Sequence, residues 1–157
     1  MAVNLVTARI RVDGASMEPS LHNGEFVVIN RLAYRWQNPA RGEIIVFRFP
    51  LDPERRFIKR IVGLPGDTIQ IDGGLVYVNG ELLDEPYISA SPRYQGEWTV
   101  EQGHVFVLGD NRNNSSDSQN WGSLHIEEII GKAVAIYWPL DDLGIIPHYS
   151  LVSAAEE

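Results

Sequence analysis

Only two of the 13 basic residues in this 157-residue chain are lysines, Lys59 and Lys132; the rest are arginines. The distinction is chemical, because a guanidinium keeps its proton at any working pH whereas an ammonium can be made to lose one. An amine acting as a general base here is therefore one of these two. Lys59 lies in Phe57-Ile58-Lys59-Arg60-Ile61-Val62, where a period of two puts it on one face with Phe57 and Ile61 and puts Arg60 on the other with Ile58 and Val62. An ammonium among such neighbours is poorly solvated, and full burial lowers a lysine pKa from about 10.4 by up to ~3–5 units. A drop of ~2–3 units leaves free amine near neutrality and costs about 3–4 kcal/mol. The alternative is that Lys59 packs only its stem and sends its head to solvent.

An amine base needs an acid to deprotonate, and Ser16 stands between Gly14-Ala15 and Met17-Glu18-Pro19. Small residues before it let a substrate backbone approach, and Pro19 helps fix the turn that follows. The same stretch also reads as a plain strand-to-turn connection. The usual partner of a catalytic serine is histidine. His22, His104, His125 and His148 offer no Gly-x-Ser-x-Gly elbow, and no pair has the His-x-His or His-x₃-His spacing of a metal site. With no cysteine, a disulfide framework, a thiolate zinc site, an iron–sulfur cluster and a Cys nucleophile are excluded. No cofactor and no metal are called for.

The elements that must position these groups are mostly strands. Ala8, Ile10 and Val12 alternate with Arg9, Arg11 and Asp13, which predicts a half-buried strand running straight into Gly14-Ala15-Ser16. Further strands are expected over 25–30, 43–49, 56–62, 68–71, 75–78, 104–108 and 132–138, all rich in Val, Ile, Phe or Tyr. Pro65-Gly66-Asp67, Asp72-Gly73-Gly74 and Asn79-Gly80 are turn signals, since Gly and Asn accept the positive φ that reverses a chain into a hairpin. Helix is scarce: a turn over 18–22, a short piece over 32–36, and another over 124–129 with Ser123 as its cap. Residues 111–120 are polar without a period and read as a loop bonded to its own backbone.

A chain that is 44% hydrophobic and 22% charged suits one compact domain, taken here as residues 1–157. The net charge of −8 argues against a partnership with nucleic acid. The charge is uneven: residues 1–60 carry 10 Arg/Lys against 6 Asp/Glu, and residues 61–157 carry 3 against 15. The basic half suits an anionic lipid surface, or the two halves form one solvated, mutually attracting surface. No apolar run approaches the ~18–20 residues of a membrane span, and no signal peptide is recognisable, so the chain as given is expected to be soluble.

Three separated segments, read together, resemble the type I signal peptidases, membrane-anchored serine proteases that use a Ser/Lys dyad. They are Ser16-Met17-Glu18-Pro19-Ser20-Leu21, Phe57-Ile58-Lys59-Arg60-Ile61-Val62-Gly63-Leu64-Pro65-Gly66-Asp67, and Gly109-Asp110-Asn111-Arg112-Asn113-Asn114-Ser115-Ser116-Asp117-Ser118. The resemblance runs roughly from residue 8 to residue 139. It implies a mainly β fold of antiparallel sheets, a partly open barrel of the signal peptidase and LexA-like type with a few short helices. It implies Ser16 as nucleophile, Lys59 as base, and Ser115 as the hydroxyl that orients the amine. Arg60 and Asp110 look like a structural ion pair in the family pattern, with Arg112 and Asp117 nearby. Many bacterial members have an arginine, paired with the aspartate matching Asp117, where this chain has Gln119; Arg112 is expected to compensate.

The backbone N–H of Ser16 is the expected oxyanion donor. Some members add a hydroxyl two residues before the nucleophile, where this chain has Gly14, so a main-chain N–H or a water is expected to replace it. The implied substrates are preproteins carrying signal peptides with small residues at the first and third positions before the cut, bound extended along strand edges. Val12, Met17, Leu21, Phe57 and Ile58 match the apolar pockets, although any one of them also reads as core. Members carry one or two N-terminal membrane helices that hold the catalytic domain on the extracytoplasmic face. This chain begins fifteen residues before Ser16 without them, so it is expected to be the catalytic part of an anchored protein. Ala2 to Thr7 would be the end of the anchor, with apolar surface near Met17 and the first strand dipping into lipid. A monomer is expected.

Two rivals remain in view. A LexA-type autoprotease shares the dyad and fold, but this chain has no helix-turn-helix and no Ala-Gly site before its nucleophile. A catalytically dead β-domain that binds peptides by strand addition would need none of Ser16, Lys59 and Ser115.

Overall fold

The computed structural model describes residues 7–147; Ala2 to Val6 and His148, which figured above, lie outside them. Twelve strands are formed among the described residues: β1 (Thr7–Arg11), β2 (Phe26–Asn30), β3 (Ile44–Phe49), β4 (Asp52–Gly63), β5 (Thr68–Asp72), β6 (Leu75–Val78), β7 (Glu81–Leu82), β8 (Gly96–Thr99), β9 (His104–Leu108), β10 (Leu124–His125), β11 (Ile129–Trp138) and β12 (Gly144–Ile145). Among the described residues one α-helical turn, α1, spans Ser118–Trp121. Two 3₁₀ turns cover Ile126–Glu128 and Leu140–Asp142.

The larger sheet runs β1-β2-β11-β3-β4-β9-β10, with β12 added to β11, and the smaller runs β7-β6-β5-β8. Every pairing is antiparallel. Counting across the alternating order, β1 and β4 point the same way, with three strands between them. Residues of both line a single groove, so the large sheet curls without closing. Two strand edges face that groove. Among the described residues β1 pairs in the sheet with β2, and β9 joins β4 from Arg60 onward, so the leading half of β4 is bonded on its β3 side.

The hairpins follow from turn chemistry. Gly73 and Gly74 join β5 to β6 at φ 59° and 81°, and Asn79 and Gly80 join β6 to β7 at φ 53° and 84°. Two successive positive φ values match the right-handed twist of the flanking strands, and only Gly and Asn adopt them readily.

Three apolar clusters fill the interior. One packs the small sheet onto β4 and β9 through Val62, Ile69, Val76, Val100 and Phe106. A second joins Val12, Met17, Leu21, Val27, Ile44 and Ile58 under the groove. The third gathers Ile45, Phe47, Ile61, Val105 and Leu124 on the other face.

The turn expected over 18–22 forms, but the short helices expected over 32–36 and 124–129 do not: 32–36 is a turn, and 124–129 becomes β10, a 3₁₀ turn and the start of β11. The cap of that turn is His125, which accepts from the Glu127 N–H, not Ser123. Pairing decides the matter: Leu124 lies opposite Val105 and Ile129 opposite Phe47, so apolar side chains that also fit a helical spacing are buried as strand. The polar stretch 111–120 hides α1, whose start is a capping box between Asp117 and Asn120.

Candidate active site

β1 ends at Arg11, and the chain continues through Val12 to Ser16 in the groove wall; β4 brings Lys59 to the same groove. Lys59 Nζ and Ser16 Oγ are 2.7 Å apart, within hydrogen-bond distance. Lys59 is only 4% exposed, which excludes the reading in which its head reaches solvent. Burial pushes its pKa down to about 8, opposed by the negative charges of Asp117 and Asp110. The second lysine, Lys132, lies away from the groove and pairs with Glu43 at 3.0 Å. No described histidine lines the groove, and His22 is engaged with Glu18. Among the described residues no three His, Asp or Glu side chains converge as a metal site requires.

Ser16 is held by the loop that follows β9. The Asn111 N–H donates to the Ser16 carbonyl at 2.9 Å, and Asn111 Nδ2 donates to the Ala15 carbonyl at 3.0 Å. Gly109 packs directly beneath: a methyl group on its α-carbon would lie 2.2 Å from Ser115 Oγ and 2.6 Å from the Ser16 carbonyl oxygen. Sequence reading missed both Asn111 and Gly109. The close approach of two backbones is what a glycine at this position signals.

Beneath the loop lies a buried charge framework. Arg60 donates from Nε and Nη2 to the two oxygens of Asp110 at 2.9 and 2.7 Å, and from Nη1 to the Gly42 carbonyl. Ser20 Oγ adds a bond to Asp110 at 2.5 Å. Both side chains are sealed from solvent, and removing one partner of such a pair costs about 3–5 kcal/mol because the other charge is stranded.

Arg112 departs from expectation. It forms a bidentate pair with Glu85 at 2.9 and 2.6 Å, not with Asp117, and its Nε donates to the Gly109 carbonyl. Asp117 instead accepts the Gly109 and Gln119 N–H groups. Burial pushes its carboxyl up, against the lowering effect of the Gly109 N–H and the Lys59 charge.

Other expected residues fall unevenly. Val12, Met17, Phe57 and Ile58 line the groove, whose volume is about 970 Å³, but Leu21 is wholly buried in the cluster beneath it. Met17 is also buried, so its own side chain presents no apolar surface to solvent. Gly14 lines the groove, yet its N–H is taken by Asn23 Oδ1 at 2.8 Å and is not free for an oxyanion. Ser115 lines the groove beside Lys59, but its buried Oγ makes no hydrogen bond to the amine. Asp117 lies near enough to feel that hydroxyl, though no bond of ordinary geometry joins them.

Comparison with known proteins identifies the family. The family described as signal peptidase, peptidase S26, matches residues 1–138. A probable signal peptidase I-2 from Synechocystis sp. is 44% identical over 142 residues, covering 86% of this chain and 65% of that protein. A signal peptidase I from Leptolyngbya laminosa is 42% identical over 142 residues, covering 85% and 70%. The chain thus spans slightly under two thirds of the first relative's length. The crystal structure of a signal peptidase I from Enterococcus faecalis V583 superposes with a TM-score of 0.57 at 31% identity, over 61% of this chain and 97% of that one. With a family match across most of its length and relatives above 40% identity, the chain belongs to the signal peptidase family, the S26 peptidases.

Proposed function

We propose that this chain is the catalytic domain of a serine endopeptidase that removes signal peptides from exported preproteins, with Ser16 as nucleophile and Lys59 as its base. The observation that carries this is the 2.7 Å contact between Ser16 Oγ and a lysine amine whose burial makes the neutral form accessible.

With the amine neutral, Ser16 Oγ–H donates its proton to Nζ as Oγ bonds to the scissile carbonyl carbon. The carbonyl oxygen takes the negative charge, and the Ser16 N–H, which makes no hydrogen bond among the described residues, is the donor available to it. The carbon–nitrogen bond then breaks, and the leaving amine takes the proton from the Lys59 ammonium. Neutral Lys59 next deprotonates a water that attacks the acyl ester. The bond to Oγ breaks and Ser16 regains its proton.

The edges of β1 at Ile10 and Arg11 and of leading β4, which line the groove, suit an extended peptide bonded as a strand between them. The apolar side chains of Val12, Met17, Phe57 and Ile58 at the groove suit small substrate residues near the cut. Among the described residues no helix is long and apolar enough to cross a membrane. The proposed anchor precedes residue 7, and the domain works on the extracytoplasmic face. Trp138, Leu140, Leu143 and Ile145 are exposed within eight residues of chain, and the Arg9 guanidinium lies over the neighbouring Tyr137 ring, which together suit contact with anionic lipid.

Cleavage of a preprotein in detergent tests the proposal, and its pH dependence tests the base. Because the protonated amine cannot accept the serine proton, kcat/KM is expected to rise about tenfold per pH unit below the Lys59 pKa and to level off above about 8. A rising limb near 6.5 would point to histidine. An intact preprotein after incubation at pH 9 would favour the peptide-binding alternative.

A further inference from the structure

Between β7 and β8 the chain leaves the small sheet and lays Glu85 and Tyr87 against the charge framework beneath the dyad. Glu85 accepts both arms of Arg112, and its Oε2 also accepts the Tyr87 hydroxyl at 3.0 Å. The Tyr87 ring covers the Arg60 guanidinium at 3.9 Å. Through Arg112 this clip reaches the Gly109 carbonyl, while Asp117 holds the N–H of the same glycine. Gly109 in turn supports the Ser16 carbonyl and Ser115.

We propose that Glu85, assisted by Tyr87, is a positioning residue for the Ser16/Lys59 dyad: it fixes the Gly109 backbone and holds the Arg112 charge away from the Asp117 carboxylate that faces Lys59. The proposal rests on the dyad reading above and extends it to a segment with no groove contact. The charged groups concerned are few. Asp117 and Asp110 act on Lys59, Asp110 is neutralised by Arg60, and Arg112 is neutralised by Glu85. Asp117 forms no ion pair with an arginine among the described residues, so its charge supports the Lys59 ammonium.

Glu85→Gln tests the clip. It preserves shape but removes the charge that holds Arg112, so the guanidinium is drawn toward Asp117 and the Lys59 ammonium loses support. The expected results are a fall in kcat of about tenfold with KM nearly unchanged, and a rising pH limb displaced about half a unit or more to lower pH. Tyr87→Phe keeps the ring over Arg60 and removes the hydroxyl that donates to Glu85; the same changes are expected at smaller size, and this variant decides the matter if Glu85→Gln does not fold. Titration of the Lys59 amine followed by NMR in the whole chain should show the same displacement without any substrate, so the result stands whether or not a given preprotein is cleaved. A purely structural role would lower the melting temperature alone. Native kcat together with an unmoved Lys59 titration in a folded variant would overturn the proposal, while failure of the native chain to cleave preproteins would count against the dyad reading instead.

Discussion

Lys59→Arg is expected to lose as much activity as Lys59→Ala, about 10³-fold or more in kcat, although arginine keeps the positive charge. The guanidinium does not release its proton, so it has no lone pair with which to receive the one on Ser16. A role for Lys59 as a mere cation would be largely rescued by arginine, and substantial residual activity in that variant would remove lysine from the base position. A second consequence separates chemistry from folding. With a folded pKa of about 8 against an ordinary 10.5, the unfolded chain binds the Lys59 proton more tightly between those values. The penalty is complete below pH 8 and fades as pH rises through 10.5, and near neutrality it amounts to about 3 kcal/mol. Lys59→Met should therefore be inactive yet melt at or above the native temperature at pH 7, measured by calorimetry.

Gly109→Ala is the second large effect, and it involves no group that reacts. The added methyl would stand 2.2 Å from Ser115 Oγ and 2.6 Å from the Ser16 carbonyl oxygen, distances that force one of the partners to move. Ser16 is tied to this loop through Asn111, so a shift of the loop shifts the nucleophile. A displacement of about 1 Å costs about 10²-fold in rate, expected here in kcat with substrate affinity largely kept. Peptide-cleavage kinetics on the purified variant give the answer, and near-native kcat would mean that Gly109 does not set the position of Ser16.

These two residues mark the limits of what the amino-acid sequence discloses. Lys59 stood out as a candidate because of its scarcity and its apolar neighbours, but on those residues alone it could equally send its head to solvent, and only the resemblance assigned it as the base. The strands were legible where alternation was strong, as along β1, or where Gly and Asn fixed a turn, as at Gly73-Gly74 and Asn79-Gly80. The stretch 124–129 was not, because its apolar residues satisfy a helical spacing as well as a strand and only the pairing partners Val105 and Phe47 decide between them. α1 escaped because its signal is a single capping box without an apolar stripe.

The framework around the dyad was partly legible. Arg60 and Asp110 followed from the resemblance and meet as a bidentate pair. The partner of Arg112 did not, since Glu85 is 27 residues away and carries no local signal. The cue in hindsight is that an arginine in an apolar fold requires a carboxylate, and Asp117 was the wrong candidate because backbone N–H groups already satisfy it. Leu21 and Gly14 failed for a similar reason. Sequence spacing puts a residue near the site, but only coordinates show that a side chain turns inward to the core or that an N–H is already bonded.

The central claim is that the Lys59 amine is neutral at working pH while touching Ser16. Its most direct test is an NMR titration of the Lys59 side chain in the folded chain. A midpoint near 8 is predicted, and a midpoint at the ordinary lysine value of about 10.4 would contradict the account.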